Sequence, residues 1–147
     1  MNPIAVRIKK VNPNATIPTQ ANVNDAGMDL YACIDNPVEI RSGETVKIGT
    51  GVAIEPPSGY FGAIFARSGL STKQGLRLAN AVGIADEPYR GEYIVALYND
   101  SDRKRTVNPN DRIAQLVFLP YIPVTFVEVD ELSETDRGDG GFGSSGK

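Results

Sequence analysis

The sequence predicts an all-β, single-domain protein, a sandwich or barrel of short strands. Three observations carry this. The chain has 147 residues, enough for one domain with a core of its own. Short alternating or β-branched runs recur along it, whereas helical periodicity is scarce. Turn residues separate the runs, and the chain holds 15 Gly and 10 Pro.

In chain order, the first strand is expected at Ile4-Ala5-Val6-Arg7-Ile8. Thr45–Ile48 and Gly51–Ile54 follow, then Tyr60–Phe65. Tyr93–Tyr98, Ile113–Phe118 and Val124–Val129 complete the set. Ser42-Gly43-Glu44, Pro56-Pro57-Ser58-Gly59 and Asn108-Pro109-Asn110-Asp111 supply turns between them. The only stretch suited to a helix is a short turn near Ser71–Gly75. Five glycines crowd the last ten residues, so residues 137–147 are expected to form a flexible arm on a β domain of residues 1–136.

Composition narrows the chemistry. The chain has no His, no Trp and one Cys, Cys33. No Ser-His-Asp triad, Cys-His pair or ordinary zinc site can be built from it. No internal disulfide can form, and nothing asks for an oxidising compartment. Proton transfer must use carboxylate, Tyr, Lys or water. A net charge of −3 argues against nucleic acid as a partner. The N-terminal ten residues lack the apolar region of a signal peptide, and no apolar run reaches membrane-span length, so no membrane partner is expected. The default setting is intracellular and cytoplasmic; nuclear, organellar, viral and bacterial settings are not separated.

Five stretches concentrate candidate chemistry. Asp25-Ala26-Gly27-Met28-Asp29-Leu30 sets two carboxylates around a glycine, which suits either a metal-facing acid or a turn. Ala66-Arg67-Ser68-Gly69-Leu70 offers guanidinium, hydroxyl and backbone donors to an anion, or a solvated Arg before a Ser helix cap. Asn80 to Glu92 centres on Asp86-Glu87-Pro88-Tyr89-Arg90-Gly91, which reads as a hairpin tip between apolar strands. It carries a carboxylate and an aromatic, suited to a base and a stacking platform or to simple turn chemistry. In Asp111-Arg112-Ile113-Ala114-Gln115-Leu116, alternation puts Gln115 on a face with apolar residues, where it needs partners from protein or ligand. The tail from Arg137 to Lys147 contains two decoys. Gly141–Lys147 imitates part of a P-loop without the following Ser/Thr, strand or helix, and Arg137-Gly138-Asp139 is an integrin tripeptide in an intracellular setting.

Taken together and in order, these stretches resemble the trimeric dUTP nucleotidohydrolase (dUTPase) family. Its five motifs correspond to Ala26–Leu30, Ala66–Leu70, Gly83–Glu92, Asp111–Leu116 and Arg137–Gly146. The resemblance implies a β jelly-roll and a homotrimer whose active sites are shared between subunits. The glycine-rich arm of one subunit would close over a neighbour's site. The implied reaction is dUTP plus water to dUMP and pyrophosphate with Mg2+, limiting uracil in DNA and supplying dUMP for thymidylate.

The implied roles follow by position. Asp86 matches the general base that activates water for attack on the α-phosphate. Asp29 matches the acid that holds magnesium through water. Ser68 and Gly69 match phosphate contacts, with Arg67 organising them, and Gln115 matches the polar side chain near the α-phosphate. Asn80 and the backbone of the 80–89 segment, Gly83 included, match the uracil pocket. Tyr89 matches the aromatic under the deoxyribose. Phe142 matches the aromatic that stacks on uracil. Arg137, Gly143 and Ser144 match β- and γ-phosphate contacts.

One departure stands out. The family usually has a bulky aliphatic residue before the catalytic Asp, and this chain has Ala85. The smaller side chain is expected to loosen the support of Asp86. Two other functions are compatible with the same residues. One is a dCTP deaminase-like enzyme of the same fold, which the Asp86–Gly91 stretch and Phe142 disfavour. The other is a nucleotide-sensing regulatory protein, which the retained Asp86 disfavours.

Overall fold

The computed structural model describes residues 3–141, and the chain traces strands broken by tight turns. In order they are β1 (Arg7–Lys10), β2 (Met28–Tyr31), β3 (Val38–Ile40), β4 (Thr45–Glu55) and β5 (Tyr60–Phe65), then α1 (Ser68–Gln74). After it come β6 (Leu76–Leu78), β7 (Gly83–Ala85), β8 (Glu92–Asn99), β9 (Arg105–Val107) and β10 (Arg112–Pro120). One four-stranded sheet has the order β1-β4-β8-β6 and a second the order β2-β10-β5-β7; β3 and β9 form a two-stranded third. The named strand pairs are antiparallel.

The two larger sheets share one core. Ile48, Val52, Val95 and Leu97 from the first meet Leu30, Ile113 and Leu116 from the second, each at most 1% exposed. Burying each such aliphatic side chain contributes about 1.5–3 kcal/mol; alternation delivers them along β8, whereas β4 is buried continuously from Thr50 to Ile54. All-β sequence expectation and structure agree.

Several local expectations are corrected. The first strand begins at Arg7 rather than Ile4. Thr45–Ile48 and Gly51–Ile54 are one strand, β4, whose register with β8 shifts between Gly49 and Ala53. Gly51 sits at that irregularity with φ +68°, and a Cβ there would stand 2.7 Å from both the Ala15 Cβ and the Cys33 Sγ. The helix starts at Ser68, not Ser71, and ends on Gly75 at φ 69°. Arg67, not a serine, is its N-cap, and it makes no side-chain cap bond.

Asp86–Gly91 is not a hairpin tip. β7 pairs with β5, whereas β8 lies in the other sheet, so this segment carries the chain from one sheet to the other. Pro88 has no N–H to give a ladder, and the Tyr89 N–H instead closes a turn on the Asp86 carbonyl at 2.9 Å. Alternation along β10 also fails near its start. A register shift between Arg112 and Ala114 buries both Ile113 and Ala114.

The strand expected at Val124–Val129 does not form. β10 ends at Pro120, and Val124, Phe126 and Val129 beyond it are 71%, 94% and 56% exposed. Their β-branched pattern is strand-like, but a strand needs an edge to pair with, and the described residues offer it none. Phe142, Gly143 and Ser144, and most of the glycine-rich arm with them, lie outside the described residues.

Candidate active site

The register of β10 explains why three distant motifs meet. β10 lies between β2 and β5, and Gln115 is opposite Asp29 on one side and Phe65 on the other. Immediately past Phe65 the chain turns through Arg67 into α1. Asp29, Arg67, Ser68, Gly69, Lys73 and Gln115 therefore line one cavity of about 560 Å³, within the usual range for small-ligand sites.

Asp29 anchors it. Its side chain is 12% exposed, and Oδ1 accepts a bond from Arg67 Nε at 2.7 Å. Oδ2 accepts from Arg112 Nη1 at 3.2 Å. Two guanidiniums satisfy this one carboxylate, and the cavity wall itself sets Arg67 and Lys73 beside Asp25 and Asp29. Gln115 is fixed from both ends: its Nε2 donates to the Ala66 carbonyl at 2.9 Å. Its Oε1 lies over Gly27, where a Cβ would come within 2.5 Å. Gly69 has nothing within 4 Å of a Cβ position, so the cavity floor is open there.

A second cluster lies around the turn between β7 and β8. Asp86 is exposed, and Tyr89 is 43% exposed. The Tyr89 hydroxyl donates to the Glu92 carbonyl at 2.9 Å, folding the ring over Gly91, where any Cβ would collide with that hydroxyl. The Glu87 carboxylate accepts from the Gly59 N–H at 2.8 Å and the Tyr121 hydroxyl at 2.7 Å. The Gly59 N–H first, then the Tyr121 hydroxyl, hold the Glu87 carboxyl below its ordinary value. Arg90 reaches back to Glu55 at 3.4 Å. Gly83 is buried against Ile64, with 3.1 Å from a Cβ position to the Ile64 Cβ. Asn80 is exposed, beside Ala81 in the left-handed region at φ 60°.

Register shows that the two clusters are apart. Gly83 faces Ile64 and Ala85 faces Gly62, so Asp86 emerges near the start of β5. Arg67 follows the end of β5. Six residues of extended chain from Phe61 to Arg67 span roughly 20 Å. Asn80, Gly83, Asp86 and Tyr89 do not line the cavity. Arg137 is also elsewhere, exposed on the segment after β10 with its Nε on the Gly140 carbonyl at 2.9 Å.

Arg112 and Gly27 had no assigned role from sequence. Arg112 sits one residue after Asp111 in the fourth motif, and Gly27 inside the first; their types were visible but their partners, 83 residues away for Arg112 and Asp29, were not.

The donor set tests the expected magnesium. Among the described residues no three His, Cys, Asp or Glu side chains gather to hold a metal. Both Asp29 oxygens already accept from arginine, so a cage of direct ligands does not fit. Each carboxylate oxygen keeps a further lone pair, so a link through a metal-bound water does fit.

Fold and site together define a jelly-roll protein with a polar cavity that offers arginine, lysine, hydroxyl and amide donors to a small ligand. The dUTPase family model matches residues 13–146, and the chain belongs to that family. Among curated proteins it is 48% identical to a deoxyuridine 5'-triphosphate nucleotidohydrolase of Desulfitobacterium hafniense, over 99% of each chain. It is 45% identical to one from Idiomarina loihiensis, over 100% of this chain and 99% of that protein. Among solved structures it resembles the Staphylococcus bacteriophage 80alpha dUTPase with dUPNHPP, at TM-score 0.88 and 29% identity, over 97% of this chain and 99% of that one.

Proposed function

We propose that this chain hydrolyses dUTP to dUMP and pyrophosphate in active sites assembled from neighbouring copies of a homotrimer. Family membership and the named relatives support the reaction. The observation that carries the assembly is the placement of two half-sites at opposite ends of β5. The cavity half has Arg67, Lys73, Ser68 and Gln115; of its carboxylates, Asp29 is held by two arginines and Asp25 by Asn22. The turn half has a solvent-facing carboxylate and an aromatic but no anion pocket. A second copy brings the turn half to the cavity half. The apolar segment after β10, exposed at Ile122, Val124, Phe126 and Val129, supports the same association.

In this reading Ser68 and Gly69 receive substrate phosphates, and Arg67, held by Asp29, sets their direction. Gln115 stands near the α-phosphate. Asp86 of a neighbouring copy takes a proton from water as the water oxygen bonds to the α-phosphorus. The bond from that phosphorus to the bridging oxygen breaks, and pyrophosphate leaves with the electron pair. Asp29 would hold Mg2+ through a metal-bound water, and the ion would supply neutralisation of phosphate charge. Asn80 and the backbone from Gly83 onward read the uracil edge, and Tyr89 lies under the deoxyribose, where a 2′-hydroxyl clashes. Residues 137–147 form an arm on the 1–136 domain that closes on a neighbouring site. In it Phe142 covers the base, and Arg137, Gly143 and Ser144 meet the β- and γ-phosphates.

The test is pyrophosphate release from dUTP, dTTP, dCTP and UTP with magnesium, beside Asp86→Asn. Release confined to dUTP and a loss of about 10²–10⁴-fold in Asp86→Asn are expected. Comparable turnover of all four nucleotides would sink the specificity, and an undiminished Asp86→Asn would sink the base. Co-expressing Asp86→Asn with Arg67→Ala tests sharing: random trimers regain about a quarter of native activity when the halves come from different copies. No recovery means each chain builds its own site.

A further inference from the structure

We propose that Tyr93 is the positioning residue for Tyr89 and for β7, which ends at Ala85 just before Asp86, and that Ala85 is small because Tyr93 occupies the space beside it. The inference rests on the dUTPase reading of the Asp86–Gly91 turn.

Tyr93 lies on β8, in the sheet opposite β7, and is 1% exposed, the largest of the fully buried side chains. Its phenol crosses the core to β5. A Cβ on Gly62 would stand 3.1 Å from the Tyr93 hydroxyl and 3.4 Å from the Ala85 Cβ. Gly62 is also the register partner of Ala85 on β7. The phenol tip and the Ala85 methyl thus converge on one point at the β5–β7 ladder. A branched aliphatic at 85 would grow into the volume the phenol holds. The expected loosening of Asp86 is therefore answered from the facing sheet: the room left by Ala85 is filled by Tyr93.

The other flank of the same ring supports Tyr89. The two ring centroids are 6.1 Å apart at an interplanar angle of 35°, inside the distance range of favourable aromatic pairs. The Tyr89 hydroxyl is tied to the Glu92 carbonyl, one residue before Tyr93. Tyr89 is therefore fixed at its tip by the backbone of β8 and on its flank by the first inward ring of that strand. Among the described residues the Tyr93 hydroxyl has no hydrogen-bond partner. A buried hydroxyl without a partner is a cost, so ring volume, not hydrogen bonding, is what this position supplies.

The experiment compares Tyr93→Phe, Tyr93→Leu, Ala85→Ile and the double variant Ala85→Ile/Tyr93→Leu with the native protein. Thermal midpoints and kcat/KM for dUTP and UTP are read for each. Tyr93→Phe is expected to keep the dUTP-to-UTP ratio and to melt higher. Tyr93→Leu is expected to lower the ratio about tenfold, the order of a lost aromatic pair. Ala85→Ile should melt lower because the new branch meets the phenol, and the double variant should melt above the sum of the two single changes. A Tyr93→Leu ratio within twofold of native, or additive melting shifts, would overturn the proposal. If Tyr93→Leu does not fold, loss of the ratio in Tyr93→Phe, or a double variant that also fails to fold, still does so. A native protein that releases no pyrophosphate from dUTP refutes the reaction instead, and the melting non-additivity then decides the packing argument without substrate.

Discussion

Replacing Asp29 with Asn separates what this carboxylate does for the fold from the metal role proposed for it. The buried carboxylate accepts one bond from Arg67 at 2.7 Å and one from Arg112 at 3.2 Å. Hydrogen bonds to charged groups contribute about 1.5–3 kcal/mol each. The Arg112 contact falls at the weak end, because that side chain is 49% exposed and solvent screens it. Asn keeps one acceptor oxygen for Arg67 Nε, which recovers part of the loss. The balance is a destabilisation of about 2–3 kcal/mol, and for a chain of this size the midpoint falls by about 8 °C. Thermal unfolding in EDTA is the assay, so a role confined to magnesium leaves the midpoint where it was. Arg112→Gln, which removes only the weaker contact, is expected to shift it by less than half as much. An Asp29→Asn midpoint within about 2 °C of native would refute the two-arginine anchor.

Two further changes test neighbouring parts of the structure. Gly27→Ala puts a Cβ 2.5 Å from Gln115 Oε1, so Gln115 must leave the Ala66 carbonyl; the expected cost is about 1–3 kcal/mol by denaturant unfolding, and Gln115→Ala in the same chain should relieve it. Glu87 has a folded-state carboxyl below its ordinary value of 4.5 because Gly59 N–H and Tyr121 hydroxyl donate to it. Its stabilisation is therefore complete above about that pH and is lost as pH falls through the lower folded value. The difference in urea midpoint between native and Glu87→Gln should shrink as pH drops below 4.5, and a constant difference from neutral to acid pH would contradict it.

How much of this was legible in the sequence depends on distance along the chain. β8 announced itself because its alternation mirrors its buried face, and β5 and β10 because their apolar runs are bounded by turn residues. β3 and β9, three residues each, are too short to show a period. Val124–Val129 has the composition of a strand, but pairing is decided by an available edge, which composition does not encode. The turn at Asp86–Gly91 carried the right residues, yet which sheet each flank joins is fixed by β7 finding β5. The site was legible as residue types: Asp29, Arg67, Ser68, Gly69 and Gln115 do share a cavity. The Arg112 contact and the distance between the cavity and Asp86 depend on strand register, a tertiary property no local window contains. Ala85 read as a missing support only because Tyr93, eight positions on, was not yet opposite it.

The placement of the half-sites at the two ends of β5 has a genetic consequence. In the shared-site trimer proposed above, damage in one polypeptide would be inherited by its neighbours' catalysis. A copy lacking Asp86 removes one site from the trimer it joins, and a copy lacking both Asp86 and Arg67 removes about two of three. An allele with both lesions is therefore more dominant over a native allele than either lesion alone. Two alleles carrying one lesion each, by contrast, rescue one another.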